Sequence, residues 1–442
     1  MALRIATRGI HVFTSIWLGQ LFSTVGTGLT NFAVGIWVYQ RTGSATQFAL
    51  IVLCGGLPSG LILPLAGALT DRWDRRTTML LSHSGAALTT LAAAVLLSLG
   101  RLEVWHIYVG VTCRGIFSAF LNPALLASTT LLVPKRHFGR ASGMLQSVQA
   151  SAQVVSPLLA AILLGRIQLR GILVIDFVSY LAAIIPLLLV SIPNPERAGG
   201  RKSGGASLLR EIAYSWTYIR ERRGLLALLV YFAAVNFVLG STVVLFTPMI
   251  LSFTSAQVLG TILSVSGVGF LCGSFVMSVW GGPKNRVGGV LGFGFGFGLC
   301  CVLVGLRPSA VQVAAGAFGM YFALPFVNGC SQAIWQSKIP PDVQGRVFAI
   351  RRIIVASTLP VAYLIAGPLA DKVFEPLVNS EYVTRIFQAD IGQSTGRGIG
   401  LMFIVAGVLT MLAQFCGYLY NPLRRVEDDL PDAVPGVILT GT

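Results

Sequence analysis

Long apolar runs alternate with short polar joints along the whole chain. Several exceed the roughly 18 consecutive apolar residues that mark a membrane-crossing helix. They predict six spans at about 14–38, 46–70, 77–99, 104–132, 141–165 and 171–192. Six more are expected at about 225–250, 257–281, 287–306, 309–336, 347–369 and 398–420. Gly and Pro inside these runs do not disqualify them, because neighbouring helices re-satisfy freed backbone groups in a membrane. The expected fold class is therefore an all-α membrane protein with twelve transmembrane helices in two six-helix bundles.

Composition sharpens this reading. Of 442 residues, 54% are hydrophobic and 11% charged, against about 25% charged in ordinary soluble domains. So few charges cannot clothe a solvent-facing surface, which excludes a soluble enzyme with one anchor. The first run, about Phe13 to Tyr39, is too long for a cleavable signal peptide, and others follow it. The net charge of +16 sits in loops between spans. Orientation and anionic lipid account for it better than nucleic acid does.

With the N-terminus inside, 23 of the 32 Lys and Arg residues fall on the cytoplasmic side, eight fall outside, and Arg114 lies within a span. This bias predicts that both termini are cytoplasmic. The expected organisation is an N-terminal bundle at 1–192, a cytoplasmic linker at 193–223, a C-terminal bundle at 224–426 and a tail at 427–442. From Ser207 the linker reads as an amphipathic surface helix, with Leu208, Leu209, Ile212, Trp216 and Ile219 on one side.

The halves look related. "FLNPALLASTTLLVPKRHFGR" (120–140) and "FVNGCSQAIWQSKIPPDVQGR" (326–346) align without a gap. Phe120/Phe326, Asn122/Asn328, Ala127/Ala333, Pro134/Pro340, Gly139/Gly345 and Arg140/Arg346 match. A duplicated six-helix unit is how many secondary transporters are built.

The stretch "GALTDRWDRR" concentrates charge between two spans. Gly67, Asp71, Arg72, Arg75 and Arg76 fit G-x-x-x-D-[RK]-x-G-[RK]-[RK], with Asp74 where the pattern has glycine. In this the chain resembles the major facilitator superfamily, whose signature lies between helices 2 and 3. The second-half copy, "WGGPKNRVGG", keeps only Lys284 and Arg286. Pieces such as "VIDFVSYL" (174–181), "GRVFAIRR" (345–352) and "AGPLADKVFEPL" (366–377) are similar to the branch holding macrolide-efflux proteins and the enterobactin exporter. The resemblance implies that Asp71 contacts the N-terminus of a second-half helix and that Gly67 lets helices approach closely. Such a charge–dipole contact contributes roughly 0.3–2 kcal/mol and would hold the cytoplasmic side closed. The bland alternative is a topological anchor, in which the arginines merely keep the loop inside.

Two charges fall within spans, Arg114 in helix 4 and Asp176 in helix 6. Each costs about 2.5–3.5 kcal/mol on insertion scales, so function is the default reading. The resemblance links a helix-4 arginine to proton coupling or anionic substrate binding; otherwise Arg114 braces helices. Asp176 is the obvious titrating carboxylate, though it could serve as a structural cap or a partner of Arg114.

Polar stripes recur at helical spacing. Gln20, Thr24, Thr27 and Asn31 mark helix 1; Arg114, Ser118 and Asn122 mark helix 4; Ser142, Gln146, Gln149, Gln153 and Ser156 mark helix 5. Asn236 and Thr242 follow in helix 7, and Asn328, Gln332 and Gln336 in helix 10. The family lines its cavity with helices 1, 4, 7 and 10, so these are candidate cavity residues; interhelical glue at about 0.6 kcal/mol per bond is the alternative. Ser156-Pro157 stands where antiporter members have Gly-Pro, so antiport gains little support here.

Other motifs carry less. "GFGFGFG" (292–298) lies inside a span and reads as helix packing, and no G-x-x-x-x-G-K-[ST] nucleotide loop exists. The seven cysteines fall in apolar segments and read as small buried residues; no metal site or cofactor is expected. The expected function is secondary active export, multidrug-resistance-like, of an amphipathic small molecule (drug, macrolide, siderophore or peptide-like metabolite) by a monomer in the cell (inner) membrane, coupled to protons. A facilitator or importer of the same fold is the alternative, and a non-transporting receptor a remote one.

Overall fold

The structure, a computed structural model, describes residues 2–70, 73–134, 138–190, 216–378 and 396–429. Among the described residues there is no strand. The first helices are α1 (Ala2–Thr42), α2 (Ala45–Thr70), α3 (Arg75–Ser98) and α4 (Val104–Leu132). A helical run then covers Phe138–Leu189. Unbroken, its 52 residues would measure about 78 Å, more than twice the thickness of a bilayer core. Gln168 breaks it, with a non-helical φ of 57° and ψ of −176°. We number 138–167 as α5 and 169–189 as α6. The joint expected over five residues is thus one residue wide.

The second half comprises α7 (Arg223–Leu251), α8 (Ala256–Trp280), α9 (Arg286–Leu306), α10 (Ala310–Lys338), α11 (Pro341–Leu369) and α12 (Arg397–Leu419). Counting the broken run twice, these are twelve transmembrane helices in two bundles of six. Positive-φ glycines close several of them. Gly100, at φ 68°, donates its N–H to the Leu97 carbonyl at the end of α3, a position where a side chain would be strained. α11 runs on through a π turn, Ala370–Phe374, and a short helix, Glu375–Val378. Glu375 there accepts from the N–H groups of Gly396 and Gly398 at 3.0 and 2.9 Å, satisfying orphan donors at the start of α12.

The chain forms two compact units, residues 1–198 with 250–264 and residues 199–249 with 265–442. Among its described residues the first holds three apolar clusters, one around Ile172, Leu173 and Ala33, one around Phe13, Met79 and Leu187, and a small one of Ala86, Ala87 and Tyr180. Within this unit Ser156 donates to the Val25 carbonyl at 3.1 Å, and a Cβ on Gly28 would strike the Ser156 side chain. α1 and α5 therefore touch backbone to side chain at this small pair. The second unit has its core around Trp335, Leu228 and Ile334. The alternate glycines of "GFGFGFG" divide there. Gly294 and Gly298 back onto Gln414, Met411 and Gly407 of α12, while Gly292 and Gly296 meet nothing within 4 Å.

Large apolar side chains such as Leu61, Phe275 and Val311 are exposed on helices of membrane-crossing length. Lipid, not water, is the solvent such faces fit. The same logic corrects the reading of the cysteines as uniformly buried: Cys301 and Cys330 are buried, whereas Cys272 and Cys416 are exposed. An apolar segment in a membrane can face lipid as readily as a protein core.

Most of the amphipathic segment expected from Ser207 lies outside the described residues. From Trp216 to Glu221 the chain is helical. Ile219 is buried with Leu225, Leu423 and Val426, so this short helix joins the core of the second unit, while Trp216 is exposed.

Candidate functional site

In the first unit four helices deliver polar groups to one point. Asp176 of α6 is wholly buried. Its carboxylate accepts from Thr90 Oγ1 of α3 at 3.2 Å and from Thr27 Oγ1 of α1 at 3.4 Å. Arg114 Nη1 of α4 stands 3.8 Å from Asp176 Oδ2. Arg114 Nη2 donates to Asn31 Oδ1 of α1 at 2.5 Å. Tyr180, one turn beyond Asp176, shares a hydrogen bond of 2.9 Å with the Thr27 hydroxyl.

Why the chain makes this point is local. Thr27 and Asn31 lie four residues apart on α1, as do Asp176 and Tyr180 on α6, so each pair shares a helix face. Gly26 leaves room: a Cβ there would meet Ser179 and come within 3.2 Å of Asp176 Oδ1. Ser179 in turn donates to the Asp176 carbonyl at 2.7 Å. A carboxylate and a guanidinium at membrane depth are costly unless paired and hydrogen-bonded, and here each is both. Removing either partner leaves the other uncompensated.

The remaining stripe residues divide by exposure. In the first unit Asn31, Ser118, Asn122, Gln146, Gln149 and Gln153 are exposed, and Thr24 is half-buried. Gln20 is buried and donates to Thr24 Oγ1 at 3.4 Å. Ser156 is buried in the contact with α1 described above. In the second unit Asn328 and Gln336 are exposed. Asn236 bonds back to the Phe232 carbonyl of its own helix at 2.8 Å, and the buried Thr242 does so to Leu239 at 2.9 Å. Gln332 accepts from Arg351 Nη1 at 2.9 Å, while Arg351 Nη2 reaches Ser331 Oγ at 3.0 Å. Arg351 belongs to α11 and lies over the ring of the buried Trp335.

The charged loop holds the end of the first bundle together. Gly67 falls in the last turn of α2; Asp71 and Arg72 lie outside the described residues. Asp74 is the N-cap of α3, its Oδ1 accepting from the Thr77 N–H at 2.6 Å. Arg75 donates to the Ala127 carbonyl of α4 at 2.8 Å. Arg76 donates to the Leu187 and Leu188 carbonyls, at the end of α6, at 2.6 and 2.7 Å. Leu187 and Leu188 are in the last turn of α6, where a cation answers both orphan carbonyls and the negative end of the dipole, whereas Ala127 lies a turn inside the end of α4. The second unit repeats the device. Asn285 caps α9 by accepting from the Gly288 N–H at 2.7 Å, and Arg286 donates to the Ala333 carbonyl of α10 at 3.1 Å.

A two-bundle, twelve-helix fold with such a loop and a buried ion pair defines a membrane transporter. The family model of the Major Facilitator Superfamily matches residues 16–373, and the chain belongs to that family of transporters. It is 30% identical to macrolide efflux protein A of Streptococcus pyogenes over 426 residues, covering 94% of this chain and 97% of that one. It is 28% identical to the enterobactin exporter EntS of Salmonella typhi over 35% of this chain and 37% of that one. Among solved structures, a bacterial homologue of the human lysosomal transporter Spinster superposes with a TM-score of 0.70 at 14% identity, covering 96% of this chain and 98% of that one. That similarity speaks for the fold. The protein is thus a multi-pass membrane transporter whose relatives include efflux proteins.

Thr90, Tyr180 and Arg351 escaped the sequence reading. Hydroxyls are common in membrane helices, and nothing in spacing alone sets Thr90 apart. Tyr180 carries a usable signal, since it follows the intramembrane Asp176 by one turn.

Proposed function

We propose that this protein exports an amphipathic small molecule, of the macrolide or siderophore kind, across the cell (inner) membrane against an inward flow of protons. The reading rests above all on Asp176, the one carboxylate wholly buried among the described residues, held against Arg114 at membrane depth. The near full-length similarity to a macrolide efflux protein supports the direction. In this account Asp176 takes up and releases the transported proton. Arg114 compensates its charge when the proton is absent. Uptake of a proton frees the guanidinium to strengthen its bond to Asn31 or to meet substrate.

The bundles at 1–192 and 224–426 alternate access around a central substrate site, joined by the linker at 193–223, with the 427–442 tail and the N-terminus cytoplasmic. The substrate meets Gln20, Thr24, Thr27, Asn31, Ser118, Asn122, Gln146, Gln149 and Gln153 from the first bundle. Asn236, Thr242, Asn328, Gln332 and Gln336 serve from the second. Asp71 and Arg72, with Gly67, Asp74, Arg75 and Arg76 supporting the loop, form the cytoplasmic gate. A monomer suffices, because each chain carries both bundles.

The test is efflux of a radiolabelled macrolide from cells expressing the protein, with and without an uncoupler. Efflux that collapses with the proton gradient supports the reading. Efflux indifferent to the uncoupler contradicts proton coupling, and net gradient-driven uptake contradicts export.

A further inference from the structure

Beside the ion pair lies a cavity of about 30 Å³, lined among others by Thr30, Thr90, His106, Gly110 and Arg114. A water needs about 10–15 Å³, so there is room for about two. Most of the wall is apolar, from residues such as Val34, Ile107 and Leu173, and the polar points on it are threonines, His106 and Arg114. The Thr30 hydroxyl is buried, lines the cavity and faces the Asp176 carboxylate. Thr90 reaches the cavity while also donating to Asp176.

The far end is His106, in the first turn of α4 next to the joint that follows Gly100. Its Nδ1 accepts the Glu103 N–H at 3.1 Å. With Nδ1 occupied as an acceptor, Nε2–H is the donor available to a water. Arg41, which donates to the Leu102 carbonyl, and Glu103 stand at this end. Arg114 and Tyr180 stand at the Asp176 end, with the His83 ring 6.1 Å from that of Tyr180 and tilted against it.

We propose that this cavity is a hydrated proton passage through which Asp176 exchanges its proton with solvent at the His106 end of α4. The water beside Thr30 gives one proton to the Asp176 carboxylate and receives another from the next water outward. The reverse order discharges the acid, so atoms and charge balance at each step. His106 is a positioning residue that orients the outer water by its Nε2–H and is not itself the carrier. The inference rests on the proposed role of Asp176 and adds the route.

Infrared difference spectroscopy on the full-length protein in lipid vesicles tests this without a substrate. The carboxyl band of Asp176 is assigned by its loss in Asp176→Asn, and its rate of exchange in D2O is followed. Gly110→Val points a side chain into space where a Cβ meets nothing within 4 Å. By excluding the water it should slow exchange at least about tenfold. His106→Phe should slow it too, and His106→Gln should recover part of the rate. If Gly110→Val does not assemble, Ala93→Leu, also on the cavity wall, is the second plug. Exchange at the wild-type rate in the plugged protein overturns the passage while leaving Asp176 as the carrier. If Asp176→Asn removes no titrating band, carrier and passage fall together.

Discussion

Arg286 donates to the backbone carbonyl of Ala333 in the second unit, and Ala333 is the repeat partner of Ala127, which receives Arg75 in the first. The same contact between a loop arginine and a helix carbonyl has outlived most of the sequence identity around it. Charge-assisted hydrogen bonds of this kind contribute about 1.5–3 kcal/mol each. Arg76→Ala, which loses two such bonds, should lower the melting temperature in detergent more than Arg75→Ala or Arg286→Ala. Equal stability of all three variants and the wild type would remove the strut role.

Asp74 departs from the family glycine because it caps α3. Replacing an N-cap by alanine costs about 1 kcal/mol and by glycine only a few tenths. Asp74→Ala should therefore be the less stable of the two variants by thermal denaturation, and Asp74→Gly close to wild type. Asn285→Ala should show a loss like that of Asp74→Ala, since Asn285 does the same for α9.

Gln168 carries a left-handed φ at the turn between α5 and α6. A side chain there costs about 1 kcal/mol that glycine does not incur. Gln168→Gly should raise the melting temperature, and Gln168→Val should lower it. A β-branched residue accepted without loss would show that the turn relaxes out of this conformation.

Much of the fold was legible in the chain because membrane helices announce themselves by length and apolarity. The twelve spans, the Arg114 and Asp176 outliers and the Thr27–Asn31 face all came from spacing. What spacing could not supply was depth and rotation across helices. Arg114 and Asp176 sit at different distances from their helix ends, and only the packing of α4 and α6 on the shared neighbours α1 and α3 brings them to 3.8 Å. Asn285 was hidden because the repeat was judged by matching charges, whereas capping needs only a side-chain oxygen. The Gln20 and Ser156 members of their stripes turned inward, since a polar face at helical spacing meets a neighbouring helix as readily as an open cavity.

Asp71 belongs to the gate in this account. Asp71→Asn removes its charge but keeps its shape. Turnover in a macrolide efflux assay should fall several-fold, on the scale of about 1 kcal/mol lost at a helix terminus, with equilibrium macrolide binding unchanged. Loss of folded protein instead would make Asp71 a structural residue.

The central claim is that Asp176 carries the proton. Asp176→Asn keeps the bonds from Thr27 and Thr90 within reach but cannot titrate. In proteoliposomes loaded with a macrolide, an imposed proton gradient should drive transport by the wild type and not by this variant. Macrolide exchange at equal concentrations on both sides should continue in both. Gradient-driven transport by Asp176→Asn at the wild-type rate would contradict the account.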